Sequence, residues 1–260
     1  MDTQNEPINK WVYGPAGRAV QLVAEEIVLA GLTERATISL VQLPKLLSFI
    51  RSESRHGILK NYKQLEKLHA MSLGDAEFAK KEVEAGFSNL RIHGLISLWS
   101  FVEACLDDTS LALIKNCKNE DVDREAVFFE RVTSLPVLDE QAAQRLKRKI
   151  FNSIKEKLDT NYMMTFEIFF KGFGIVLNNE RTRINKMQEI NSLRNCVLHR
   201  SKIVDEYAVY MSPGLPFKAG DEITISRDQF EMYMSIVSDY ILNFHNTIVG
   251  CKYMAFMNSR

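Results

Sequence analysis

Along most of the chain, apolar residues recur at three- and four-residue steps rather than in alternation. Only 12 Gly and 6 Pro interrupt the 260 residues. That spacing predicts α-helices. In the first third, Val20, Val23, Ile27 and Leu32 mark one short helix, Leu40 to Ile50 a second interrupted early by Pro44, and Leu59 to Met71 a third. From Asn89 a nearly all-apolar helix runs through Leu95, Leu98, Trp99, Val102, Leu106, Leu111 and Ile114, and a helix apolar all round belongs in a core. A charged break at 118–123 and the pair Leu135-Pro136 follow. Next come a basic amphipathic helix over about Glu140 to Leu158, an aromatic one over Tyr162 to Val176, and another over about Glu180 to Lys202.

The character then changes. Tyr207-Ala208-Val209-Tyr210 and Glu222-Ile223-Thr224-Ile225 are β-prone runs around Pro213-Gly214-Leu215-Pro216 and Ala219-Gly220-Asp221, a pattern that predicts a small hairpin. Ser226-Arg227-Asp228-Gln229 has the spacing of a capping box and opens a last helix through Phe230, Tyr233, Ile236, Tyr240, Ile241 and Phe244. The expectation is an all-α protein in two parts: an N-terminal helical extension over residues 1–87 and a helical domain over 88–260.

Composition narrows the function classes. A hydrophobic content of 46% supports a substantial core, which argues against disorder. Lys plus Arg and Asp plus Glu both total 33, so there is no global positive field, and any contact with nucleic acid must come from a local patch. Cys105, Cys117, Cys196 and Cys251 are far apart, which argues against a zinc cluster or redox pair. The polar N-terminus lacks the apolar stretch of a secretory signal, and no apolar run is long enough to span a bilayer. A cytoplasmic protein with reduced thiols, no membrane partner and no cofactor is expected.

The helix beginning near Glu180 carries the candidate chemistry. Met187, Ile190, Leu193 and Val197 fall on its apolar side, while Gln188, Asn191, Asn195, His199 and Lys202 recur at three- and four-residue steps on another. This polar stripe is expected to face away from the core. Asn195 and His199 are one turn apart. Arg194 projects to the side and needs its long chain to reach the same ligand, an arrangement suited to a site completed by a second surface.

Arg194-Asn195-Cys196-Val197-Leu198-His199 resembles the motif of the HEPN ribonucleases, in which an arginine followed by a polar residue precedes a histidine on a late helix. Leu95-Ile96-Ser97-Leu98-Trp99-Ser100-Phe101-Val102-Glu103 looks like the family's opening helix, and the segment from Pro216 to Ile223 looks like the hairpin that follows its motif. The resemblance covers roughly residues 88–250 and leaves the first third unassigned. Arg200, a bulky cation directly after the histidine, departs from the pattern.

The resemblance implies a HEPN-like helical bundle that dimerises and cleaves RNA through the 2′-hydroxyl without a metal, in a toxin or antiviral defence role, with a cognate inhibitor or regulatory protein as a further partner. It also implies catalytic roles for Arg194, Asn195 and His199, with Glu103 near them. These residue types suit the chemistry. An imidazole that titrates near neutrality can move the protons, and a guanidinium can stabilise the phosphorane. Arg200, Lys202, Arg181, Arg183 and Lys186 are candidates for tracking the RNA backbone. Arg145, Lys147, Arg148 and Lys149 form a second basic group that reads as a solvated face.

Competing readings stay open. Glu103 either orients Arg194 or His199, or forms a structural ion pair. Arg194 alone could pair with Glu103 or Glu189, and His199 alone would be an ordinary surface or capping histidine. Tyr162, Phe166, Phe169, Phe170 and Phe173 read as core or interface rather than as a base-stacking platform. At the level of function, the alternatives are a catalytically silent HEPN dimer acting as a binding or scaffold module, and a small-ligand binder using the same polar cleft.

Overall fold

A computed structural model of the chain describes residues 10–53, 62–123, 135–177 and 179–251. Among these, eight α-helices account for nearly all regular structure: α1 (Lys10–Glu53), α2 (Tyr62–Glu84), α3 (Ser88–Asn116), α4 (Glu140–Leu158), α5 (Tyr162–Gly172), α6 (Arg181–His199), α7 (Glu206–Met211) and α8 (Arg227–Val249). The protein is all-α, and no helix among the described residues is long and apolar enough to cross a membrane.

Several boundaries follow from local chemistry. Asp139 caps α4 by accepting from the Gln141 N–H, and Asp159, in the left-handed region at φ 47°, ends it. Asn161 accepts from the Met164 N–H to start α5. At α8 the capping box forms in both directions: the Gln229 N–H donates to Ser226 Oγ, and the Ser226 N–H donates to Gln229 Oε1.

Four expectations need correction. The first two predicted helices are one, α1, which continues through Pro44. A proline removes one backbone donor and costs about 3 kcal/mol in a helix interior, so it weakens the helix locally without having to end it. The third predicted helix extends past Met71 to Glu84, while its predicted start at Leu59 lies outside the described residues. The aromatic helix stops at Gly172, because Gly174 takes φ 74° and its N–H closes on the Lys171 carbonyl. The predicted hairpin is absent. Tyr207–Tyr210 lies inside α7, whose first turn is capped by Asp205 accepting from the Ala208 N–H at 2.8 Å. What forms instead is one isolated antiparallel bridge, Ile203 with Glu222, with backbone hydrogen bonds between 202–204 and 220–223 around it. A cap plus one short helical turn has outweighed the β propensity of a four-residue run.

The described residues fall into two compact units. The first contains the chain up to Ala24, Ile96–Ile223 and the chain from Tyr233 onward. Its core is aromatic. Phe166, Phe169, Phe170 and Phe173 are fully buried, as are Trp99, Tyr240 and Phe244. Phe151 meets Phe166 edge-on at 4.7 Å, and Phe170 meets Phe244 at 5.2 Å. The aromatic stripe is thus core, with Tyr162 at its edge. In the second unit, Glu25–Leu95 and Thr224–Met232, the buried Arg91 pairs with Glu34 at 3.1 Å and donates to the Gly86 carbonyl. Glu82 accepts from Asn89 Nδ2 at 2.8 Å and from the Leu90 N–H at 3.0 Å, holding the turn into α3.

Candidate functional site

Within the first unit, α6 lies over a cleft of about 450 Å³ whose lining includes Gln188, Asn191, Ser192, Asn195 and His199 from α6, together with Lys155 and Tyr162. The spacing of the polar residues puts them on one helical face, as their periodicity predicts. The face is not uniformly outward, however: Gln188 and Asn191 are buried, Asn195 is half-buried and His199 is exposed. The polar stripe therefore descends from the cleft rim to its floor. Lys202 leaves the stripe altogether, because α6 ends at His199 and both Ser201 and Lys202 adopt left-handed backbone, at φ 51° and 69°.

Arg194 is half-buried and does not line the cleft itself, and its guanidinium is held by two neighbours, of which Asn195 does line it. Nη1 donates to Asn195 Oδ1 at 2.9 Å, and Nη2 pairs with Glu103 Oε2 at 3.2 Å. Glu103, on α3, in turn accepts from Tyr162 Oη at 3.1 Å. Asn195 Nδ2 approaches Asn191 Oδ1 at 3.4 Å. These contacts form one continuous polar chain, from Tyr162 through Glu103, Arg194 and Asn195 to Asn191. Burial and the adjacent Glu103 charge push the Tyr162 hydroxyl far above its ordinary range, so at neutral pH it stays a donor to Glu103. Of the two ion pairs open to Arg194, the chain forms the one with Glu103, while Glu189 pairs with Lys186 at 2.8 Å. Glu189 is almost fully buried, and desolvation raises its carboxyl pKa while Lys186 counteracts the rise.

His199 occupies the last position of α6 at the rim. Beside it, Arg200 also lines the cleft; its Nε donates to Asp205 Oδ2 at 3.1 Å, and its Nη1 donates to the His199 carbonyl. The Ala208 N–H and Arg200 hold the Asp205 carboxyl below its usual range. Asp205 thus does two jobs: it caps α7 and tethers Arg200.

Of the five basic residues near the motif, Arg200 reaches the cleft. Arg183 lies 3.9 Å from Asp239 and Lys186 is paired with Glu189. Arg181 is exposed at the start of α6. In the second basic group, Lys147 bonds Asp107 at 2.6 Å and Arg145 lies 3.7 Å from Asp139. The cleft instead draws a lysine from α4, Lys155, whose Nζ sits 5.9 Å from the centre of the Tyr162 ring. The sequence reading missed both Lys155 and Tyr162 as cleft residues, since only the packing of α4 and α5 brings them beside α6.

No family model, no curated protein and no solved structure matches this chain.

Proposed function

We propose that the chain is a metal-independent endoribonuclease of the HEPN type that works as a dimer. The observation that carries this reading is the clamped Arg194: a guanidinium fixed by Asn195 and Glu103 beside a cleft whose rim holds His199. Arg194 does not itself line the cleft but is joined to it through Asn195, and a fixed cation next to a cleft that holds an imidazole suits attack by a 2′-hydroxyl. In the proposed reaction His199 takes the 2′-OH proton as the 2′-oxygen bonds to phosphorus. Arg194 stabilises the charge on the phosphorane. The bond to the 5′-oxygen then breaks, with that oxygen protonated by the second His199 of the dimer, leaving a 2′,3′-cyclic phosphate and a 5′-hydroxyl. Asn195 and Glu103 act as positioning residues, and Tyr162 holds Glu103.

A role in toxicity or antiviral defence, with a cognate inhibitor as partner, belongs to the same proposal. One observation favours the competing reading of a catalytically silent binding module: Arg183, Lys186, Arg200 and Arg194 itself each face a carboxylate, which reduces the positive charge offered to a phosphate backbone. The two readings separate on a simple assay. Purified protein should cut RNA in excess EDTA and leave a DNA strand of the same sequence intact, since DNA lacks the attacking hydroxyl. Dependence on added magnesium, comparable cutting of DNA, or no cutting of any RNA would contradict the proposal.

A further inference from the structure

We propose that the cleft floor is a nucleobase subsite in which Gln188 binds the hydrogen-bonding edge of one base; this rests on the reading of the cleft as an RNA site. Gln188, Asn191 and Ser192 form the floor and are only 4%, 7% and 5% exposed. Buried amides are normally satisfied, but Gln188 Oε1 has no hydrogen-bond partner. Its Nε2 has one marginal contact, 3.4 Å to Ser192 Oγ, and that oxygen already lies 2.8 Å from Ser212 Oγ.

A buried acceptor left unpaired costs about 1–3 kcal/mol, which an incoming N–H donor would recover. A side-chain amide offers an acceptor beside a donor. That pair complements every base edge: the exocyclic amine next to a ring nitrogen in adenine and cytosine, and the ring N–H next to a carbonyl in guanine and uracil. The surroundings fit the rest of a nucleotide. Tyr162, Tyr207 and Met211 line the same cleft and offer flat or apolar surface to a base, while Lys155 supplies positive charge for its phosphate, with His199 and the Asp205-tethered Arg200 at the same cleft. A base at the floor and a phosphate by Arg200 and His199 would set the register of the chain being cut. A free mononucleotide presents the same chemistry.

The test measures binding of AMP, CMP, GMP, UMP and the base-free ribose 5-phosphate to the full chain by calorimetry, beside the Gln188→Met variant. At least one nucleotide should bind about tenfold or more tighter than ribose 5-phosphate, and Gln188→Met should erase that preference. The variant should melt at the wild-type temperature or above it, because methionine replaces a buried unpaired acceptor with an apolar group of similar length. A merely structural glutamine would instead lower the melting temperature and leave the preference in place. No nucleotide outbinding ribose 5-phosphate, or an undiminished preference in Gln188→Met, overturns the subsite. Should the variant fail to fold, the wild-type comparison decides alone. An oligonucleotide of the preferred base that binds more tightly than its mononucleotide identifies RNA as the source, and the reverse identifies a free nucleotide. Base preference without RNA cleavage would retain the subsite and remove the ribonuclease. Cleavage without base preference would do the opposite.

Discussion

Arg194→Ala is expected to slow RNA cleavage by roughly 10²–10³-fold, the loss typical when one preorganised charge-stabilising donor is removed. Such a loss requires the donor to be in place before the charge develops, and the contacts of Arg194 with Asn195 and Glu103 meet that condition. Truncation should cost little stability. Glu103 would keep its hydrogen bond from Tyr162 and is partly exposed to solvent, so the cost is on the order of 1 kcal/mol, a shift of about 2–4 °C in a chain this size. Arg194→Lys separates charge from geometry. Lysine keeps the charge but lacks the planar fork that spans Asn195 and Glu103 together, so about tenfold or more of the activity should still be lost. The measurements are single-turnover cleavage rates and thermal unfolding of the same preparations. A fully active Arg194→Ala, or one that barely folds, would instead make Arg194 a structural ion-pair partner.

Mixing wild-type chains with a ninefold excess of His199→Ala chains should lower activity per wild-type chain by about tenfold under subunit exchange, because random pairing leaves about one wild-type chain in ten with a wild-type mate and a shared site needs both. The proposed dimer puts two copies of α6 across a two-fold axis, so each His199 and each Arg194 faces the same groove as its own copy. Each of the two arginines is paired with its own Glu103, so a phosphate entering the groove would share those guanidinium donors with the carboxylates. Differential tags would confirm heterodimers, and specific activity would be followed against mutant fraction. Activity that stays proportional to wild-type chains, or a monomer that is fully active, would mean that each chain carries a complete site.

Legibility in the sequence follows the range of the forces involved. The bounds expected for α4 hold at both ends because its basic amphipathic face is a local signal, and in the structure Asp139 and Asp159 close it where that face begins and ends. α7 departs from the expected strand although its signal is equally local: Asp205 stands at the N-cap spacing from Ala208, ahead of an aromatic and β-branched run whose intrinsic preference is for strand. The polar stripe on α6 was legible as a period. Its descent into a buried floor was not, because burial depends on what α4 and α5 bring across. Distance in sequence explains the rest. Arg183 meets Asp239 and Lys147 meets Asp107 only after folding, so sequence alone could not show that these basic residues are matched. The pairings of Lys186 with Glu189 and of Arg200 with Asp205 span three and five residues and were open to inspection. Glu103 and Arg194 are separated by 91 residues, and their pairing is suggested by the family resemblance rather than by any local spacing; the fold joins them.

The chemistry of the cut ends tests the central claim most directly. RNA incubated with purified wild-type protein in excess EDTA, beside His199→Ala, would be analysed for the termini of its fragments. The proposed mechanism yields 2′,3′-cyclic phosphate and 5′-hydroxyl ends with the wild type and no fragments above background with the variant. Fragments bearing 3′-hydroxyl and 5′-phosphate ends, or equal cleavage by His199→Ala, would contradict it.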